Sequence, residues 1–336
     1  MKPKSIFLLV LLCFCLVQFT AQAQFNFFKT GTKTRSKTGF IPYSSVGIGG
    51  GHANYYGELG NYSSVSGFSG MIRWNASADY TRYFSRRFSA RLGFSYARLF
   101  GDDNSFGNKN LLLNTRNLHF RNDVKEFSLT GMLNLLDGGK DFKRRGNGFR
   151  PYIFGGIALF AHDPKAKASE AFGGDWERLQ PLATEGQGLP GYGTQPYSLV
   201  QIAIPYGFGI KFKVSERLEL SAELGFRATF TDYLDDVGGD LPDPADLPSD
   251  LSRAMSNRSL EPVGAYSGQD RKPLVVQYLN NQFGFPLNAD PFAQPIATYS
   301  ERGDTRGTPA KKDSYLLSVF KINYVIASKE KCPVLN

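Results

Sequence analysis

Residues 72–81 alternate at every position, with Ile72, Trp74, Ala76, Ala78 and Tyr80 set against Arg73, Asn75, Ser77, Asp79 and Thr81. A period of two held that long fits a β-strand with one apolar and one polar face, and it fits no helix. The pattern restarts almost at once: Ala90, Leu92, Phe94 and Tyr96 oppose Ser89, Arg91, Gly93 and Ser95. With only residues 84–88 between them, the two segments read as a hairpin.

The same period recurs along the chain. Phe127, Leu129, Gly131, Leu133 and Leu135 oppose Glu126, Ser128, Thr130, Met132 and Asn134, and residues 151–161 form a less polar strand. Ile202, Ile204, Tyr206, Phe208, Ile210 and Phe212 oppose a face that ends at Lys211. Leu218, Leu220, Leu224 and Phe226 oppose Glu219, Ser221, Glu223 and Arg227, while Phe320, Ile322, Tyr324 and Ile326 oppose Lys321 and Asn323. With the glycine-rich stretch at residues 46–60 this makes eight strands. Short links at Ser85, Gly138 and Ser215 alternate with long ones, as they do in outer-membrane barrels with short periplasmic turns and long external loops. The expected fold is therefore all-β: a transmembrane antiparallel up-and-down β-barrel of eight strands over residues 44–327, with both termini in the periplasm.

Two external loops are long, at residues 163–196 and 235–313. The second is too long for a structureless connection. Residues 274–285 within it read as a short helix or an added hairpin, which leaves a ten-stranded count open. A soluble lipocalin-like or sandwich protein would show the same alternation with its faces reversed. Large apolar residues on most strands, with Tyr or Phe near the strand ends, favour the membrane.

The first residues carry an export signal. Lys2 and Lys4 precede an apolar run at residues 6–17, and Ala21-Gln22-Ala23 supplies small residues for cleavage after Ala23. Cys13 and Cys15 lie inside this signal without the small preceding residue of a lipoprotein box. Beyond it only Cys332 remains, so disulfides within the chain do not hold the fold, and Cys332 is either a plain thiol or an intermolecular link. No stretch after Ala23 is apolar for long enough to be a transmembrane helix. The expected divisions are a signal peptide at 1–23, a periplasmic segment at 24–43, the barrel, and a periplasmic tail at 328–336. Outer-membrane lipid and lipopolysaccharide would surround it.

The charges sort by side. Arg73, Asp79, Arg91, Glu126, Glu219, Glu223 and Arg227 fall on the polar faces and would share one narrow lumen. Buried charges of both signs must pair, so the lumen is expected to be an ion-paired plug rather than a pore. The periplasmic side is basic, with Lys29, Lys33, Arg35 and Lys37 before the barrel and Arg86, Arg87, Lys143, Arg144, Arg145 and Arg150 in its turns. Contact with lipid phosphates explains such a face, and so does docking of an acidic periplasmic partner. The external loop opens with Asp232, Asp235 and Asp236, followed by Asp240 and Asp243. These read as a solvated acidic loop, with a divalent cation site as the sharper alternative.

Catalytic motifs are missing from this pattern. From Gly47 or Gly49 the third glycine of a dinucleotide fingerprint would fall on His52 or Asn54, and Gly139-Lys140 is followed by Asp141 where a phosphate loop needs Ser or Thr. His52, His119 and His162 show no metal-ligand spacing. No cofactor, no nucleic-acid partner and no enzymatic activity are expected. The glycines from Gly47 to Gly51 instead belong to the first strand. With His52 and Asn54 turned to the lumen, Gly47, Gly49, Gly51 and Ala53 would face lipid, leaving curvature or a slim groove for a neighbour as the explanations, and Tyr55 and Tyr56 would mark the interface.

Several segments are similar to a known family: GIGGGHANYYGELG, RPYIFGGIALFAHDPKA, LQPLATEGQGLPGY with YSLVQIAIPYGFGIKF, GFRATFTDYLDDV, and the ending DSYLLSVFKINY with Lys331-Cys332-Pro333. Together they resemble, over nearly the whole mature chain, the outer-membrane barrel family that includes the PorG-like component of the type IX secretion machinery. The resemblance implies a non-enzymatic barrel beside a periplasmic ring built from a lipoprotein and its partner. The expected function is thus an anchor or scaffold for type IX secretion or gliding. The competing expectation is a surface barrel whose long loops bind a ligand or another cell.

Overall fold

The computed structural model describes residues 40, 42–62, 65–136, 149–293, 302–308 and 312–326. Eight long strands form the body: β1 (Tyr43–Tyr56), β2 (Arg73–Tyr83), β3 (Phe88–Asp102), β4 (His119–Asn134), β5 (Phe149–Ala161), β8 (Val200–Lys213), β9 (Leu218–Thr229) and β10 (Ser314–Ile326). Two short strands between β5 and β8 complete the numbering, β6 (Pro164–Lys167) and β7 (Trp176–Arg178).

Each long strand pairs antiparallel with its neighbours in the order β3-β2-β1-β10-β9-β8-β5-β4, and β3 pairs with β4 to close the ring. β1 meets β10 from Ser44↔Ile326 to Tyr56↔Ser314, so the first and last strands make a seam with no free edge. The barrel is a closed eight-stranded one. Among the described residues no helix is long and apolar enough to cross a membrane.

The alternation read from sequence fixes which side faces out. Trp74, Leu92, Phe127, Leu129, Ile157, Ile202, Phe208 and Phe320 all project outward and exposed, Phe320 at 67 %. Their polar neighbours Asn75, Arg91, Glu126, Glu219 and Glu223 are buried inside. Apolar outside and polar inside is the inverse of a soluble barrel and matches a lipid surround.

β1 is the exception to the expectation. Val46, Ile48 and His52 are its exposed residues, Ile48 at 67 %, whereas Ala53 and Tyr55 are fully buried. Gly47, Gly49, Gly51, Ala53 and Tyr55 therefore line the lumen, and His52 lies exposed on the outer face opposite Trp74. The slim outward face does not exist, and Tyr55 is no interface marker. The glycines make room inside. A Cβ on Gly47 would come 2.5 Å from Asn323 Oδ1, and one on Gly49 2.4 Å from the Phe320 carbonyl oxygen and 2.6 Å from Lys321 Cγ.

The loop end of the barrel carries a folded cap. β3 and β4 run on together to Asp102↔His119, and β4 then pairs with β6, which pairs with β7. Helix α1 (Val65–Met71) lies between β1 and β2, and α2 (Leu111–Arg116) between β3 and β4. α2 starts on Asn110, whose side chain accepts from the Leu113 amide, and stops on Asn117 in the left-handed region at φ 63°. The long loop after β9 contains α3 (Asp250–Ser256), capped by Ser249, and α4 (Lys272–Phe283). Pro273 in the first turn and left-handed Gly284 at the end bound α4. Residues 274–285 thus resolve as helix rather than hairpin, and the barrel count stays at eight.

Buried arginines tie the cap together. Arg271 donates through Nη1 to the carbonyls of Arg258, Ser259 and Glu261, at 3.1, 3.2 and 2.6 Å, and through Nη2 to that of Thr115 at 2.6 Å. Arg116 grips Asp103 with two bonds of 2.8 Å. Planar five-donor guanidinium groups suit this work because one side chain satisfies several loop carbonyls that no ladder reaches.

Candidate functional site

The lumen is filled in tiers. Nearest the short turns, Tyr43 and Tyr83 stack with ring centres 4.2 Å apart, Lys211 donates to the Tyr83 hydroxyl at 2.8 Å, and Arg150 Nη2 meets Glu219 Oε1 at 2.5 Å. In the middle, Lys321 bridges Asp79 at 2.9 Å and Glu223 at 3.1 Å, while Arg91 and Tyr152 both donate to Glu223. Above that, Arg227 holds Glu126 with bonds of 3.0 and 3.1 Å, and the Tyr315 hydroxyl adds a third at 2.7 Å. Each carboxylate in the stack faces a cation, as burial requires.

Six of the seven residues expected in this network are in it: Asp79, Arg91, Glu126, Glu219, Glu223 and Arg227. Arg73 is not. It has the right parity but sits at the top of β2, where its guanidinium donates to the Gly70 and Ile72 carbonyls at 2.8 Å and lies 3.9 Å from the centre of the Phe100 ring. Arg150 makes the opposite correction. Expected in a basic turn, it is the second residue of β5, is buried at 4 % and pairs with Glu219. Lys211, Lys321, Tyr152 and Tyr315 complete the network; each stood on a strand face whose parity could have shown it.

Very little space remains. A void of about 20 Å³ lies between Asp79, Arg91 and Glu223, roughly enough for a single water. Towards the cap an apolar tier follows, with Leu99, Phe120, Val124, Phe160 and Leu317 all buried.

Above that tier sit the aspartates. Asp232, Asp235 and Asp236 are exposed by only 2 %, 1 % and 0 %, so they do not form a solvated loop. The Tyr55 hydroxyl lies 2.6 Å from Asp235 Oδ2 and 2.6 Å from Asp313 Oδ1. A phenol has one proton to give, so both contacts are met when it donates to one carboxylate and accepts from the other as the acid. Burial and mutual repulsion push Asp235 well above the usual carboxylate range, and burial does the same to Asp313. Asp236 accepts from the hydroxyls of Thr184 and Tyr197, the latter at 2.7 Å, and faces Arg306. Burial still pushes its carboxyl up to about 6. Sequence reasoning missed Asp313, whose only signal was a lone acid just before the last strand.

His162 bridges Asn122 Nδ2 at 3.3 Å and the Ser198 carbonyl at 3.1 Å, and burial lowers its pKa to about 4. His119 Nε2 accepts from the Lys167 amide at 2.9 Å. Both rings act as cross-links between the cap and the barrel wall.

At the short-turn mouth, Arg86 and Arg87 occupy the β2–β3 turn, with Arg87 exposed. Lys29, Lys33, Arg35, Lys37, Lys143, Arg144 and Arg145 lie outside the described residues, as do the segment expected to be a signal peptide and Cys332.

A closed eight-stranded barrel with an apolar belt, short turns at one end and long loops at the other is a membrane barrel of the outer-membrane type. Residues 41–171, which take in the first five long strands, match a family model described as a domain of unknown function (DUF6089). No curated protein matches the chain. Among solved structures, it is similar to a major outer membrane protein of Thermus thermophilus at 9 % identity and TM-score 0.35, covering 85 % of this chain and 100 % of that one. It is also similar to Ail of Yersinia pestis in complex with the heparin analogue sucrose octasulfate, at 10 % identity and TM-score 0.34, over 85 % and 100 % of the two chains. The N-terminal β-barrel domain of Pseudomonas aeruginosa OprF is similar at 7 % identity and TM-score 0.32, over 85 % and 97 %.

Proposed function

We propose that this chain is a non-enzymatic anchor in the outer membrane, a scaffold component of type IX secretion or gliding machinery that docks a periplasmic ring or lipoprotein partner through its basic short-turn face. The filled lumen carries this reading. Ion pairs cross the described lumen in successive tiers and the void between Asp79, Arg91 and Glu223 holds about one water, so on this reading the barrel works through its two ends and its lipid-facing wall. The association with secretion rests on the family resemblance of the segments from GIGGGHANYYGELG to DSYLLSVFKINY. Arg86 and Arg87, with Lys143, Arg144 and Arg145 in the next turn of the sequence, give the short-turn face the charge an acidic partner would meet.

Deleting the gene should abolish export of secreted proteins, and reversing Arg87, Arg144 and Arg145 to Glu should remove periplasmic proteins from the purified barrel. Normal export in the deletion strain would remove the main support for this reading.

The cap supports a second reading, a surface barrel that binds a ligand. A cleft of about 380 Å³ opens there between Tyr192, Tyr233, Asp240 and Arg302, of a size that takes a small polar ligand. Intact export in the deletion strain combined with loss of surface binding would favour it.

A further inference from the structure

Three carboxylates from three separate parts of the chain meet at the external mouth: Glu58 just after β1, Asp232 just after β9 and Asp313 just before β10. One ligand oxygen from each lies within 4.8 Å of the others. Calcium takes oxygen ligands at about 2.4 Å in flexible geometry, so one ion can reach three oxygens gathered within that bound, whereas magnesium demands a near-ideal octahedron at about 2.1 Å.

Proximity of acids alone does not make a site, and the second observation is Asp232. This residue is deeply buried, being 2 % exposed, yet neither of its carboxylate oxygens has a hydrogen-bond partner. Its neighbours differ in this respect. Asp313 accepts from the Leu234 amide at 2.9 Å and from Tyr55, and Glu58 Oε1 accepts from the Thr308 amide at 3.3 Å. A buried carboxylate with its lone pairs unused, aimed at two further acids, is costly unless a cation completes it. Asp235, the protonated partner when Tyr55 donates to Asp313, adds no charge to the cluster, and the charge of Lys312 reaches Asp232.

We propose that Glu58, Asp232 and Asp313 bind a divalent cation of calcium's size, which latches both ends of the long cap loop to the first external loop. One lone pair on each oxygen of Asp313 remains free beside its present bonds, so the cation adds to the Tyr55 contact without replacing it. The site lies at the end of the barrel where the long loops gather.

The test uses the full chain refolded in detergent free of lipopolysaccharide, which itself binds calcium. The protein is stripped with EDTA and titrated with CaCl2 at neutral pH by calorimetry, while cleavage of the cap by an added protease is followed. One saturable Ca²⁺ per chain and at least tenfold slower cleavage are expected. Asp232→Asn and Glu58→Gln should each weaken binding at least tenfold. In EDTA both should resist the protease no worse than the parent, because each removes a repelling charge from the cluster. Asp175→Asn, at an exposed position outside the cluster, should bind as the parent does. No saturable binding by the parent, or binding that Asp232→Asn leaves unchanged, overturns the proposal.

Discussion

Arg227 of β9 reaches across the barrel to hold Glu126 of β4, strands separated in the ring by β8 and β5, with bonds of 3.0 and 3.1 Å. The pair is a strut between opposite walls as well as part of the plug. Removing one partner strands the other in a dry interior. Glu126→Ala is therefore expected to cost about 3–5 kcal/mol in urea unfolding of the detergent-refolded barrel. Replacing both residues with apolar side chains of similar volume, as in Glu126→Leu with Arg227→Met, should cost much less. Equal losses for the single and double variants would show that packing, not charge pairing, sets the stability here.

The inward turn of β1 makes a sharp contrast between glycines. A Cβ on Gly51 would come 2.0 Å from the Ser318 carbonyl oxygen, a backbone atom that cannot swing away, whereas a Cβ on outward-facing Gly131 finds its nearest neighbour, the Phe88 ring, at 3.7 Å. Gly51→Ala should destabilise the barrel by roughly 1–3 kcal/mol, and Gly131→Ala should leave it unchanged. The heat-dependent gel shift of folded barrels reads both.

His162 supplies a pH dependence whose sign follows from its burial. Its folded pKa is lowered from 6.5 to about 4, so between those values the unfolded chain takes up a proton that the folded chain refuses. Stability from this group is present in full above about pH 6.5, falls as the pH drops, and is lost by about pH 4, a span worth on the order of 3 kcal/mol. His162→Gln should flatten that part of the profile. The measurement is hydrogen exchange in the cap at about pH 4.5 and about pH 7, on either side of most of that titration. An unchanged difference between the two conditions in the variant would assign the sensitivity elsewhere.

Six strands were legible with their facing because each alternates side chains of clearly different polarity, as Phe127-Ser128-Leu129 does, while β5, less polar throughout, was legible as a strand without its facing. β1 was legible as a strand but not in its phase. Four of its central residues are glycines with no polarity to read, and His52, taken as an inward polar group, faces out. Arg150 was misplaced because basic residues from Lys143 onward look like one turn, although the strand begins at Phe149. The acids of the cap could be seen but not placed. Burial of Asp232 and its meeting with Glu58 and Asp313 depend on the closing of the ring, which brings residues far apart in the chain to one mouth.

The proposed anchoring role requires a barrel that passes no ions. Purified full-length protein inserted in a planar lipid bilayer tests it most directly. The ion-paired lumen, with a void of about 20 Å³ between Asp79, Arg91 and Glu223, predicts no stable conductance steps at moderate salt and voltage. Reproducible ohmic steps from the intact chain would contradict it.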